Sequence, residues 1–152
     1  MVSEELAIVC LDASIVAKFL FKEKDSPQAA LLFERLFEKD FRIIEPNFLR
    51  VEVYSVARKK AFFEKITERQ VKTALALFEE LGFDYFKEDN ELLNSAYQLA
   101  HKLKQPVIYD CLYLALAKRE EAIFITADLK FLKMAKTVWL KSFSLTNFQV
   151  FL

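Results

Sequence analysis

The chain has 152 residues, of which 54% are hydrophobic, 14% aromatic and 29% charged, with 22 basic side chains balanced by 22 acidic ones. That composition excludes a disordered chain. One glycine and three prolines exclude Gly-rich linkers, collagen-like repeats and a glycine phosphate loop, and argue against an all-β sandwich. Zero net charge lends nucleic-acid binding no bulk support but leaves room for a local basic patch.

The length suits one domain over residues 1–152, able to bury about 68–70% of its unfolded surface without disulfides or structural metal. No run of 18 apolar residues marks a membrane span. Met1 to Leu6 carries Glu4 and Glu5 rather than a basic segment, so no secretory signal is expected. Cys10 and Cys111 stand in apolar surroundings without C-x-x-C spacing, which suits buried thiols in a reducing cytoplasm.

Ala7 to Leu11 is a continuous apolar run and reads as a buried strand. Asp12 ends it, and a short helix to about Phe21 follows. Ser26-Pro27 opens the next helix, with serine as N-cap and proline at the first helical position. Arg42-Ile43-Ile44 is a short strand, and Pro46 opens a helix to about Lys60. Thr67 to Gln70 forms a capping box before the stripe Val71, Ala74, Leu75, Phe78 and Leu81. Gly82 stops that helix. Phe83 to Phe86 is a strand, and Leu92 to Leu103 an amphipathic helix ended before Pro106. Tyr109 to Lys118 has no polar face and reads as a helix buried nearly all round. Ala122 to Ile125 is a second buried strand, a short helix follows Asp128, and Thr137 to Leu140 is a third strand candidate. The tail, 143–152, carries no assignment. Strands alternating with helices predict an α/β domain with a mostly parallel sheet.

Ligands of such sheets bind beyond the C-terminal strand ends. Asp12 and Asp128 fall there, and Asp110 begins the buried helix. Helix capping accounts for each of the three taken alone. Glu52 is more informative. It shares the stripe of Leu49, Val53 and Val56, so it is expected to face the core, where a glutamate requires a partner. Arg50 and Arg58 lie on other faces of that helix. Four carboxylates at one sheet edge resist joint ionisation unless a hard divalent cation joins them. Such a cation also suits phosphodiester hydrolysis.

At these residues the chain resembles the PIN-domain family and, within it, the VapC-type toxins. The resemblance is carried by Leu11-Asp12-Ala13-Ser14 with Lys18, by Val51-Glu52-Val53, by the Tyr109 to Ala117 stretch, and by Ile125-Thr126-Ala127-Asp128 with Phe131. It covers residues 8 to about 140. The resemblance implies a PIN-like three-layer fold and a Mg²⁺- or Mn²⁺-dependent endoribonuclease, for which the expected step is in-line attack of a metal-activated water on an RNA phosphodiester. Asp12, Glu52, Asp110 and Asp128 would hold the metal, with Ser14 and Thr126 as hydroxyl support. A homodimer and a cognate antitoxin protein are implied as partners. Leu129 and Lys130 stand where many relatives carry a further acid, and Tyr54 where Asn is common. The competing reading is a catalytically silent PIN-fold module that binds RNA or protein. A phosphatase or receiver domain lacks support, since no D-x-D follows the first strand and Glu52 faces inward.

Other reactive residues offer less. His101, the sole histidine, sits on a helix face without a triad partner. Asp110 raises the thiol pKa of its neighbour Cys111, making it a poor nucleophile. Two basic clusters are candidates for RNA-backbone contact: Arg58-Lys59-Lys60 with Lys65, and Lys130, Lys133 and Lys136. Phe62-Phe63 beside the first suits either core packing or a second subunit.

Overall fold

The structure, a computed structural model, describes residues 7–63 and 65–151. The strands are β1 (Ile8–Leu11), β2 (Arg42–Pro46), β3 (Asp84–Phe86), β4 (Ile123–Thr126) and β5 (Ser142–Ser144). The helices are α1 (Ala13–Leu20), α2 (Ser26–Glu38), α3 (Phe48–Phe62), α4 (Glu68–Glu80), α5 (Asn90–Lys102), α6 (Tyr109–Arg119) and α7 (Leu129–Ala135), and a 3₁₀ turn spans Phe148–Phe151. The strands pair in the order β3-β2-β1-β4-β5, every pair parallel. The α/β reading therefore holds, with the sheet fully parallel.

The order places β1 at the centre, and the chain reverses direction across the sheet between β1 and β4. Right-handed crossovers then put α1–α4 on one face and α5–α6 on the other. Helices α1–α4 pack among themselves, while α6 lies over β1, β2 and β4. Val9, Cys10 and Leu11 of β1 are fully buried, as are Phe124 and Ile125 of β4. Every residue from Cys111 to Ala117 is buried, which is why that segment shows no polar face.

Local signals at α4 and Gly82 are met. Thr67 Oγ1 accepts from the Gln70 amide at 3.2 Å while Gln70 Oε1 accepts from the Thr67 amide at 2.8 Å. Gly82 follows the C-cap Leu81 with φ of +71°, a left-handed conformation that favours glycine.

Three local expectations are corrected. Thr137 to Leu140 is not a strand, because its amides turn back on α7: Thr137 N donates to Met134 O and Trp139 N to Ala135 O. Its apolar character serves packing instead, with the Trp139 indole donating to Ala122 O at 2.9 Å. The third strand of this half is the more polar Ser142–Ser144, which runs into the unassigned tail 143–152. Pro46 ends β2 rather than opening α3, which starts at Phe48, where the missing side-chain cap is replaced by Glu88 accepting from the Phe48 amide at 2.7 Å. Ser26 is the first residue of α2, not its N-cap, because its hydroxyl is spent on Glu23 N and Phe21 O. Its cap position falls to Asp25, at φ of +67°.

Candidate active site

The reversal of strand order between the paired strands β1 and β4 marks the crevice where parallel sheets bind ligands. Asp12 sits in it directly after β1 and is only 3% exposed. The backbone fixes it first, since its amide donates to Ile125 O at 3.1 Å. Its side chain then caps α1. Oδ1 accepts from the Ser14 amide at 3.0 Å and the Ile15 amide at 3.4 Å, and also from the Ser14 hydroxyl. Oδ2 accepts from the Thr126 hydroxyl at the end of β4. The capping reading of Asp12 is thus correct, and it fixes the carboxylate's orientation without neutralising it. Burial pushes its pKa up to about 6, against the pull of the Ser14 and Thr126 hydroxyls, and Asp110 adds repulsion.

Thr126 and Ser14 also bind the far strand end. The Asp128 amide donates to Thr126 Oγ1 at 3.0 Å, and the Ala127 amide to Ser14 Oγ at 3.2 Å. Asp128 caps α7 through the Phe131 amide at 3.0 Å. Asp110 differs from both. It is the second residue of α6, behind Ile108 as N-cap, and no capping bond is made there. The capping explanation for Asp110 therefore fails. Partial burial and then the charge of Asp128 raise its pKa.

Glu52 is half-buried rather than immersed in the core, because α3 turns its Glu52 side toward the crevice while Leu49 and Val53 take the interior. Burial, then the charges of Asp110 and Asp12, raise its pKa to about 7. The buried Tyr113 hydroxyl, which makes no hydrogen bond of normal geometry, lies close enough to draw it slightly back. No lysine or arginine forms an ion pair with Asp12, Glu52, Asp110 or Asp128 among the described residues.

Sequence reasoning missed Glu45. It lies inside β2 with no exposed surface. Its Oε1 accepts from the Leu11 amide at 2.9 Å, and Cys10 Sγ lies 4.0 Å from Oε2. Burial holds its pKa well above the usual carboxylate range, with Asp12 and Glu52 adding repulsion. The signal was available: a glutamate between Ile44 and Pro46 in a strand buried on both faces has no solvent side to occupy. Burial and Asp110 also lift Cys111, to about 11, so neither free cysteine is a ready nucleophile. His101 is exposed on α5, away from any acid–base pair.

Five carboxylates therefore share one electrostatic neighbourhood, with no ion-paired lysine or arginine among the described residues. Among the described residues, no three His, Cys, Asp or Glu side chains already form a closed ligand set. The donors are all hard oxygens, the type that Mg²⁺ and Mn²⁺ take. An uncompensated anionic cluster of this kind fits a divalent cation.

A family model for the PIN domain matches residues 9–137. No curated protein matches by sequence. Among solved structures, the chain is similar to VapBC2 from Rickettsia felis bound to a promoter DNA fragment, at 18% identity and a TM-score of 0.67, covering 90% of this chain and 98% of that one. It is also similar to VapBC-1 from nontypeable Haemophilus influenzae, at 18% identity and 0.63, covering 92% and 99%. A third is VapC20 from Mycobacterium tuberculosis, a toxin that cleaves the sarcin–ricin loop, at 11% identity and 0.61, covering 88% and 97%. At these identities the likeness is one of fold.

Proposed function

The chain belongs to the PIN domain family, and from that premise we propose that it is a divalent-metal-dependent endoribonuclease, the toxin of a cytoplasmic toxin–antitoxin pair. One observation carries the proposal. Asp12, Glu52, Asp110 and Asp128 repel one another at the sheet's switch point, and among the described residues no basic side chain forms an ion pair with them. Like charges crowded around a buried carboxylate are unfavourable unless an opposite charge joins them, which supports a bound cation as the missing partner.

Those four carboxylates would hold Mg²⁺ or Mn²⁺. When bound, the cation supplies charge neutralisation at a phosphodiester and makes a coordinated water more acidic. The chain's own residues supply position. Ser14 and Thr126 hold Asp12 from two sides, so its geometry is set before any ligand arrives. Asp128 is oriented by its bond to the Phe131 amide. Glu52, half-buried beside Asp12 and Asp110, would orient the attacking water through its carboxylate. The α1 and α6 N-termini add partial positive charge toward an incoming phosphate.

The partners follow the same reading. An antitoxin would cover this crevice, and a second copy of the chain would complete a homodimer. No helix among the described residues is long and apolar enough to cross a membrane.

The test is cleavage of a mixed RNA pool by antitoxin-free protein, with and without Mg²⁺ or Mn²⁺, alongside Asp12→Asn and Asp110→Asn. Cleavage that needs the cation and both aspartates is expected. An inert preparation with no cation binding by calorimetry would favour a silent binding module instead.

A further inference from the structure

Beside the acids lies a pair of rings that nothing above employs. Phe48 and Tyr109 stack with centroids 5.2 Å apart and planes inclined by 19°. Phe48 begins α3 and Tyr109 begins α6. The helical repeat gives the pair its address. Phe48 and Glu52 are four residues apart on one face of α3, and Tyr109 and Tyr113 are four apart on one face of α6. Phe48 meets Tyr109, while Tyr113 lies close to Glu52. The two contacts are therefore consecutive rungs between the same helices. The ring pair stands one turn, about 5.4 Å of rise, from Glu52, and Asp110 is the next residue along the chain.

The pair is fixed on one side and open on the other. Phe48 packs against the main core, and its amide is tied to Glu88. Tyr109 is 50% exposed, as expected of a ring with one face covered by Phe48 and the other free. A rigid, exposed, aromatic face is a poor surface to leave in water, and its flat geometry suits a nucleobase. Other exposed aromatics lack this arrangement. Phe62 and Phe63 meet edge-on at 87°, at the far end of α3, and so offer no shared stack.

We propose that Tyr109, backed by Phe48, is a stacking platform that holds one nucleobase of single-stranded RNA beside the phosphodiester engaged by the acids. The proposal rests on the ribonuclease reading for its substrate class, but its chemistry is separate. A π-face accepts any base, so the platform would position the strand without dictating sequence. It would also favour unpaired RNA, because a base within a duplex has no free face to offer.

The experiment uses full-length protein carrying Asp12→Asn to suppress cleavage, in Mg²⁺, with a single-stranded RNA octamer containing 2-aminopurine. Binding should quench the probe. Tyr109→Leu, which keeps an apolar contact for Phe48 but has no π-face, should weaken binding about 5- to 150-fold, the range of one lost base–aromatic stack. Tyr109→Phe should bind within about twofold of the parent, since it keeps the ring. In the cleavage-competent chain, Tyr109→Leu should raise KM more than it lowers kcat. An abasic substrate nucleotide at the platform position should then cost the variant nothing further.

Equal quenching and affinity in Tyr109→Leu would overturn the platform. So would a Tyr109→Phe defect as large as that of Tyr109→Leu, which would assign the role to the hydroxyl. A change of oligomeric mass in Tyr109→Leu with unchanged RNA affinity would make the ring a protein contact instead. The two readings separate cleanly. Quenching without metal-dependent cleavage by the parent chain would defeat the nuclease and keep the platform, whereas cleavage with an unquenched probe would do the reverse.

Discussion

Two charge clusters in this molecule are built on opposite principles. On the α1–α3 flank, Lys18 and Lys60 both approach Glu23, at 3.7 and 2.8 Å, so gathered charge meets an opposite charge. At the crevice, Asp12, Glu45, Glu52 and Asp110 gather with no cation, and all four are pushed toward their protonated forms. The flank is complete as it stands. Among the described residues the crevice has no such answering charge, and that asymmetry is what the ribonuclease proposal rests on.

The sharpest way to break the comparison is to remove one charge from the crevice. Asp12→Asn keeps an oxygen to cap α1 but deletes a buried anion. RNA cleavage should fall by at least about 100-fold, since even residues that merely support metal ligands are worth 10–100-fold. The metal-free fold should instead gain stability, on the order of 2–3 kcal/mol at pH 8, because a carboxyl with a pKa near 6 is penalised there. Activity and thermal stability moving in opposite directions would confirm that the crevice carries strain for function. A loss of both would make Asp12 a structural cap.

The second expectation concerns pH. Asp12 and Glu52 have folded values of about 6 and about 7, above the ordinary carboxylate range. Between roughly pH 4 and pH 7 the folded chain therefore holds more protons than the unfolded chain, and stability falls as pH rises through that window. Melting in chelator should show a higher Tm at pH 5 than at pH 7.5. Mg²⁺ or Mn²⁺ should flatten the difference by favouring the ionised carboxylates. A Tm that rises over this range in chelator would contradict the arrangement.

Much of this was legible in the residues, and the exceptions have physical causes. The buried strands, the capping box and the all-apolar α6 carry strong periodic or compositional signals, and each is found. The edge strand β5 carries none, since three residues with two serines look like a loop, whereas Val138-Trp139-Leu140 looks like a strand but packs as a helix exit. At the site, Asp12, Asp110 and Asp128 stand out by position along the chain. Ser14 and Thr126 were legible only through the family resemblance, since Thr126 lies 114 residues from Asp12 and is brought near by strand order. Glu45 is less legible, since Ile43 and Ile44 alone mark β2 and a glutamate after them looks like the strand's solvent end.

Glu45 gives the third test. Glu45→Gln keeps an acceptor for the Leu11 amide and removes a carboxyl whose ionisation burial opposes, so the fold should be as stable or more stable at neutral pH. Glu45→Ala leaves that buried amide without a partner and should cost about 1–3 kcal/mol in denaturant unfolding. The contrast between the two variants separates hydrogen bonding from charge. Equal destabilisation would show that packing volume, not the amide bond, is what Glu45 provides.

The smallest effects belong to the flank. Glu23→Gln removes the carboxylate shared by Lys18 and Lys60, yet these side chains keep contact with water, at 17% to 25% exposure, so the loss should stay below about 1 kcal/mol. The same flank holds a cleft of about 640 Å³ lined by Glu23, Val56, Lys59, Lys60, Phe63 and Lys65. Lys59 and Lys65 form no ion pair among the described residues. Lys59 follows Glu52 by two turns of α3, so an RNA strand leaving the crevice along that helix would meet it. Replacing Lys59 and Lys65 by Ala should weaken RNA binding equally for all sequences and lower the slope of log affinity against log salt by about 1 per lysine. Glu23→Gln, which frees two more ammonium groups, should raise affinity at low salt. If neither change moves the salt slope, the flank's positive charge lies off the substrate path, and the crevice alone accounts for RNA capture.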